Sequence, residues 1–276
     1  MSLVLFLAVA AACADAPTPS PMVALRPLAG LFHRMPTASM APTLPAGSLL
    51  VMEALAGAPV RDDVVLYRNP LTHADLAGRV VGLPGDRIER DETHVLVNGQ
   101  ALPDRGKPLT SLRSTYGHFP DWKETYVVPA DSYYVLSDDR TDGLGSMEYG
   151  AIARADVAGR LSTWAEATKQ KGRMAAILAA AAAPTKQRLP LDTGEGLVMR
   201  DFDVLDDTSL AVGFELDADH FRELHRNEDG LSRQLRDDFC ANPLIKLATG
   251  INITYRFAGP GASDRMVVQA SQRDCP

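Results

Sequence analysis

The sequence predicts a mainly β protein: a β-rich front domain followed by a small α+β domain. Residues 48–136 hold short β-branched and aromatic runs bounded by Pro, Gly or Asp, with no long amphipathic helix between them. Residues 196–270 instead place one helical stretch between strand-like pairs, in the order ββαββ. Charge divides the chain near the same place. Residues 1–188 carry 19 Lys+Arg and 19 Asp+Glu, whereas residues 189–276 carry 9 and 16. The whole formal charge of −7 therefore sits in the back of the chain. With 46% hydrophobic and 23% charged residues, the 276-residue chain has the composition of a folded protein and room for two domains. It lacks the basic face that nucleic acid binding needs, so no nucleic-acid partner is expected.

The first element is the apolar run from Leu3 to Ala14. A bilayer-spanning helix needs about 20 apolar residues, so this run is too short to span. It fits the apolar core of a secretory signal, and Ala12-Cys13-Ala14 reads as a small-x-small cleavage site before Asp15. No Lys or Arg precedes the run. Residues 1–14 are therefore read as a signal peptide or short anchor, with a truncated membrane anchor and a lipidated Cys13 as alternatives. Export out of the cytoplasm follows from the first of these readings.

In the front domain, Ser48–Glu53, Val64–Tyr67, Arg79–Val81, His94–Val97 and Tyr133–Leu136 are the expected strands, and Asn98-Gly99 is a hairpin signal. Residues 167–188 form the joint. Lys169, Lys171 and Arg173 precede the apolar, Ala-rich run Met174–Ala183, which resembles a leader but reads inside a chain as a helix and linker. Pro184 is expected to end that helix. An ancestral fusion of two exported proteins is the alternative. The back domain, residues 189–276, begins with paired strands at Gly196–Val204 and Ser209–Leu216. Asp217–Cys240 has helical periodicity through Phe221, Leu224, Leu231, Leu235 and Phe239, and Gly230 is expected to kink or split it. Ile251–Phe257 and Met266–Ala270 follow as strands, giving a helix on one face of an antiparallel sheet.

The chain has three cysteines, Cys13, Cys240 and Cys275. If Cys13 leaves with a leader, Cys240 and Cys275 remain to form a disulfide in an oxidising compartment. The alternative is a pair of free thiols in a cytosolic protein.

The chemistry-bearing signal is Met35-Pro-Thr-Ala-Ser39-Met-Ala-Pro-Thr-Leu44. It resembles the nucleophile box of signal peptidase I, a Ser-Lys dyad serine endopeptidase. Four further segments follow in that family's order: Arg61–Tyr67, Gly78-Arg-Val-Val-Gly-Leu-Pro-Gly-Asp86, Val97-Asn-Gly99, and Tyr133–Arg140 through Gly150. Gly150–Arg160 is similar to the closing strand, so the resemblance covers residues 31–166. It implies a signal-peptidase-like β fold, cleavage of leader peptides after small residues, and action outside the cytoplasmic membrane. A serine hydroxyl needs a base to become a nucleophile and donors to hold the oxyanion. The resemblance puts Ser39 at the nucleophile position and Thr37 at an oxyanion donor. Met35, Pro36, Met40, Leu44 and Ala77 match the substrate-pocket positions, although core packing alone explains Met35, Met40 and Leu44.

The departures are as informative. The catalytic lysine position holds Gly78, which cannot take a proton, and Arg79 beside it stays charged. Gly143 stands where a serine orients the lysine. Gly145 and Met147 replace an Asp and its Arg partner, while Ser146 is retained. Of six lysines, Lys107 and Lys123 alone lie in the front domain proper. They and His33, His73, His94 and His118 are the remaining candidate bases. Two functions stay open: a serine endopeptidase with a relocated base, or a degenerate, non-catalytic descendant that binds an extended peptide, a pre-protein leader or a partner. Membrane association is also expected. Asp86 and Asp138 read as structural hydrogen-bond acceptors. No cofactor is expected, because no metal-ligand spacing or phosphate-cradling glycine loop is present.

Overall fold

The computed structural model describes residues 30–90, 94–105, 125–140, 144–194, 196–242, 245 and 248–276. The expected leader at residues 1–14 lies outside them, as do Lys107, Lys123, His118 and Gly143. The chain divides into two compact units, one built on His33–Thr163 and the other on Trp164–Pro276. No helix among the described residues is long and apolar enough to cross a membrane.

The first unit is mainly β, as predicted. Its strands are β1 (Phe32–Arg34), β2 (Leu49–Glu53), β3 (Val64–Arg68), β4 (Asp75–Gly82), β5 (Arg87–Arg90), β6 (Val95–Val97), β7 (Gln100–Ala101), β8 (Tyr126–Val127) and β9 (Ser132–Leu136). A one-turn helix α1 (Ser146–Tyr149) then leads to β10 (Ile152–Ala153) and β11 (Val157–Thr163). One sheet has the order β1-β2-β11-β3-β4-β9-β10, and a smaller one has β7-β6-β5-β8. Asn98 and Gly99 turn the β6–β7 hairpin with φ of 53° and 79°, the paired positive φ of a type I′ turn.

Alternation along β3 and β4 sorts the side chains onto two faces. Val65 pairs with Gly78, Leu66 with Ala77 and Val64 with Arg79. Val64, Leu66 and Ala77 face a core of Met35, Met40, Leu44, Leu50 and Leu161. Val65, Tyr67 and Val80 face a second core with Tyr133, Val135, Ile152 and Val157. Gly78 therefore looks toward the second core, and its neighbours Ala77 and Arg79 toward the first.

The second unit opens with α2 (Trp164–Lys169) and α3 (Arg173–Lys186), followed by β12 (Leu191–Gly194), β13 (Leu197–Val204) and β14 (Ser209–Leu216). Then come α4 (Ala218–Arg226), α5 (Glu228–Ala241), β15 (Asn252–Ala258) and β16 (Arg265–Ser271). The strands lie in sequence order in one sheet. β14 and β15 run parallel, where an antiparallel sheet was expected. The two intervening helices carry the chain back to the starting end of the sheet, which makes the pair parallel. The Ala-rich stretch forms α3, which belongs to this unit and packs against β13.

Pro184 sits inside α3 rather than ending it. It falls in the last turn, so the backbone bond it removes is near the end of the ladder, and Gln187 N–H still reaches Ala183 O at 3.0 Å. The helical stretch 217–240 breaks at Asn227, not at Gly230. A Cβ on Gly230 would stand 2.3 Å from Asn227 Oδ1, so the missing side chain makes room for the residue at the break. Asp217 caps α4 by accepting from the N–H groups of Asp219 and His220. The Sγ atoms of Cys240 and Cys275 stand at disulfide distance, with Cα atoms 5.3 Å apart.

Candidate active site

The nucleophile box is a turn-rich segment between β1 and β2, pinned at both ends. Met35 N–H donates to Ser48 O at 3.0 Å, and Gly47 N–H donates to Met35 O at 2.7 Å. Met35, Met40 and Leu44 point inward and are buried, Pro36 is exposed, and Thr37 and Ser39 are half-buried. Met35, Met40, Leu44 and Ala77 thus meet in one cluster.

Thr37 Oγ1 donates to Ser39 Oγ at 3.0 Å, and Ser39 N–H reaches Thr37 Oγ1 at 3.4 Å. Asp139 N–H donates to Ser39 O at 2.9 Å, which fastens the box to the chain leaving β9. Among the described residues, no lysine amine or histidine ring nitrogen hydrogen-bonds the Ser39 hydroxyl.

Beside the box, Arg79 and Asp138 form a bidentate ion pair at 2.8 and 2.6 Å. Both are buried, with 6% and 2% of their surface exposed. Arg79 Nη1 also donates to Asp62 O at 2.9 Å and Nη2 to Thr43 Oγ1 at 3.2 Å. The guanidinium is thereby committed to structure, and it ties the box at Thr43 to the end of β9. Asp86 likewise accepts from Leu83 N–H, Asn98 and Arg61, and the donors that gather on it hold its carboxyl below the usual range despite burial.

At Gly78 the space is closed. A Cβ built there would stand 2.5 Å from Val135 Cγ1, 3.1 Å from Tyr67 Cε1 and 3.3 Å from Leu136 O. Gly145 is equally tight, its Cβ falling 2.7 Å from Val135 O and 3.2 Å from Leu136 Cα. Ser146 is buried and its hydroxyl accepts from Val135 N–H at 2.8 Å. Met147 packs against the apolar cluster around Ile88 and Leu136. Tyr67 and Tyr149 hydrogen-bond through their hydroxyls, and burial pushes both phenols up, so they stay neutral.

Glu148 completes this corner, accepting from Gly145 N–H at 2.7 Å. Burial raises its carboxyl above the ordinary value. The folded state therefore favours the protonated form: the associated stability is present below the ordinary glutamate value and lost as pH rises through the raised one. Glu148→Gln keeps an acceptor for Gly145 and removes the titration. Urea unfolding from pH 4 to 7 is expected to show a flatter stability profile and a gain at neutral pH below about 1 kcal/mol. An unchanged profile would remove Glu148 from the pH response.

A family model described as signal peptidase, peptidase S26, matches residues 3–165. The chain belongs to the signal peptidase S26 family. Signal peptidase I of Leptolyngbya laminosa is 30% identical over 137 residues, covering 46% of this chain and 64% of that protein. The chain thus spans less than two thirds of that relative's length. Signal peptidase I V of Bacillus subtilis is 28% identical over 139 residues, covering 47% of this chain and 82% of that protein. A solved signal peptidase I from Enterococcus faecalis is 25% identical, with a TM-score of 0.30 over 38% of this chain and 98% of its own.

The signal peptidase family is one of serine endopeptidases, and its scaffold is present here. The family's motif order finds the box, the Gly78 strand and the Asp138 segment. It does not find Val135 and Tyr67 as the groups that occupy the space at Gly78, because that contact is made across strands. The strand alternation of Val65 and Tyr67 is the local signal for it. Among the described residues, no group of His, Cys, Asp or Glu is arranged to hold a metal ion.

Proposed function

We propose that this chain is a degenerate signal peptidase: an extracytoplasmic member of the family that keeps the peptide groove and binds an extended leader-like peptide without cleaving it. The observation that carries the reading is the 2.5 Å approach of Val135 Cγ1 to the Cβ position of Gly78. The family's lysine is not merely replaced by Gly78. The side of the strand it would use is packed shut, and Gly145 is closed by backbone in the same corner. In this reading Ser39 keeps the nucleophile position and Gly78 is the vacated base position. Thr37 is the oxyanion-donor position, and Pro36 and Ala77 meet the peptide over a floor packed from the buried Met35, Met40 and Leu44.

The test uses purified protein with a pre-protein and with its leader peptide. The expected result is no cleavage above that of Ser39→Ala, with leader-peptide binding retained in both. Cleavage that disappears in Ser39→Ala overturns the proposal. It would favour the second reading, a working serine endopeptidase, whose support is the Thr37–Ser39 hydroxyl contact at 3.0 Å.

The extracytoplasmic part of the proposal rests on the family and on the cysteine pair. We infer that Cys240 and Cys275 are oxidised, linking the end of α5 to the chain's last turn across 35 residues. A closed loop of that length contributes about 3–4 kcal/mol by the chain-entropy account. Reductant, or Cys240→Ser, is expected to destabilise the second unit by that order in urea unfolding. Thiol titration of the unreduced, unfolded protein should find this pair blocked. Two freely titrating thiols would place the protein in a reducing compartment instead.

A further inference from the structure

The second unit carries a groove that the family likeness does not explain. It has a volume of about 560 Å³ and lies between α4 and the turn joining β15 to β16. That is within the range of small-ligand sites. α4 contributes Ala218, Phe221, Arg222, His225 and Arg226, a single face at helical spacing, and the turn contributes Asp264.

The floor is apolar and flat. Phe221 is 7% exposed, and the His225 ring stacks on it at 5.9 Å with planes 13° apart. A Cβ on Gly259 would stand 2.7 Å from the Phe221 ring, so the turn can close on the floor only as glycine. The two walls carry opposite charge. Arg222 is engaged by Asp219 and by Ala218 O. The side chain of Arg226, one helical turn further along the same face, makes no ion pair or hydrogen bond among the described residues. Across the groove, Asp264 is held in place because its Oδ2 accepts from Gly261 N–H at 2.9 Å.

We propose that this groove binds the carboxylate end of an apolar amino acid residue. The α-carboxylate pairs with Arg226, the N–H on the same residue donates to Asp264, and the side chain lies against the stacked His225 and Phe221 rings. A ligand with only an anion would meet Asp264 as a repulsion, and one with only a donor would leave Arg226 unused. A residue carrying both, next to an apolar side chain, satisfies all three surfaces. The C-terminal residue of a peptide and a free amino acid share this chemistry.

The test titrates the full-length protein by calorimetry with N-acetyl-L-phenylalanine, its C-terminal amide and free L-phenylalanine. The acid is expected to bind and the amide to bind at least about tenfold more weakly, the effect of losing one charge-assisted hydrogen bond. Arg226→Gln, an exposed change, should weaken the acid by a similar factor while leaving thermal unfolding unchanged. Tighter binding of the acetylated compound assigns the groove to a peptide end, and tighter binding of the free amino acid assigns it to the small molecule. The proposal falls if acid and amide bind alike, if neither carboxylate compound binds at millimolar concentration, or if Arg226→Gln has no effect.

Discussion

Asp138→Ala is expected to destabilise the first unit by about 3–5 kcal/mol, because it removes the bidentate carboxylate from a buried cation. Arg79 is 6% exposed and donates its two shortest bonds to Asp138, at 2.8 and 2.6 Å. Its bonds to Asp62 O and Thr43 Oγ1 are to neutral acceptors and are weaker partners for the charge than the bidentate carboxylate. The control separates the pair from the cavity that alanine leaves. Arg79→Met with Asp138→Leu replaces both partners by apolar groups and is expected to cost clearly less than Asp138→Ala alone. Leader-peptide binding should fall in Asp138→Ala beyond what global unfolding explains, since Asp138 adjoins Asp139, whose N–H holds Ser39 O at 2.9 Å. If the double variant is as unstable as the single one, the charge is not what makes Asp138 important.

The first unit was readable from sequence because its strands are short β-branched runs with turn residues at their ends. The period-2 pattern that marks such a strand also sorts it into a core face and an opposite face. Asn98-Gly99 carried its own turn type. The second unit was readable in its elements and less so in their arrangement. The helical periodicity from Phe221 to Phe239 is interrupted in the sequence at Gly230, and nothing in it marks Asn227 as the break, because the break depends on a side chain packing over Gly230. The parallel β14–β15 pair is likewise a property of the helical crossover, not of either strand. At the candidate site, the family motifs nominate Ser39, Thr37 and Gly78 as site positions. The physical state of Gly78 depends on Val135, 57 positions away in the chain and adjacent only through the β4–β9 pairing. A motif records which residue is missing from a position, whereas packing decides whether the position still has room for it.

Gly78→Lys tests that distinction most directly, and it is expected to fail in two ways. The new Cβ would press on Val135 Cγ1 from 2.5 Å, and Val135 is fully buried and β-branched, so it has little freedom to turn aside. Overpacking of this kind costs about 1–3 kcal/mol. Burying the amine adds to that cost, since it must either lose its proton or remain an unpaired charge in an apolar core. Urea unfolding should show a total loss of about 3 kcal/mol or more. Cleavage of a pre-protein should stay at the Ser39→Ala level, because Gly143 supplies no hydroxyl to orient the amine. Adding Val135→Ala opens the space and should recover part of the stability lost in Gly78→Lys without restoring cleavage. If stability does not return, the 2.5 Å contact is not the source of the cost. Strong Ser39-dependent cleavage from Gly78→Lys alone would mean that the corner adapts readily to a base, and a degenerate site closed by packing would no longer describe this protein.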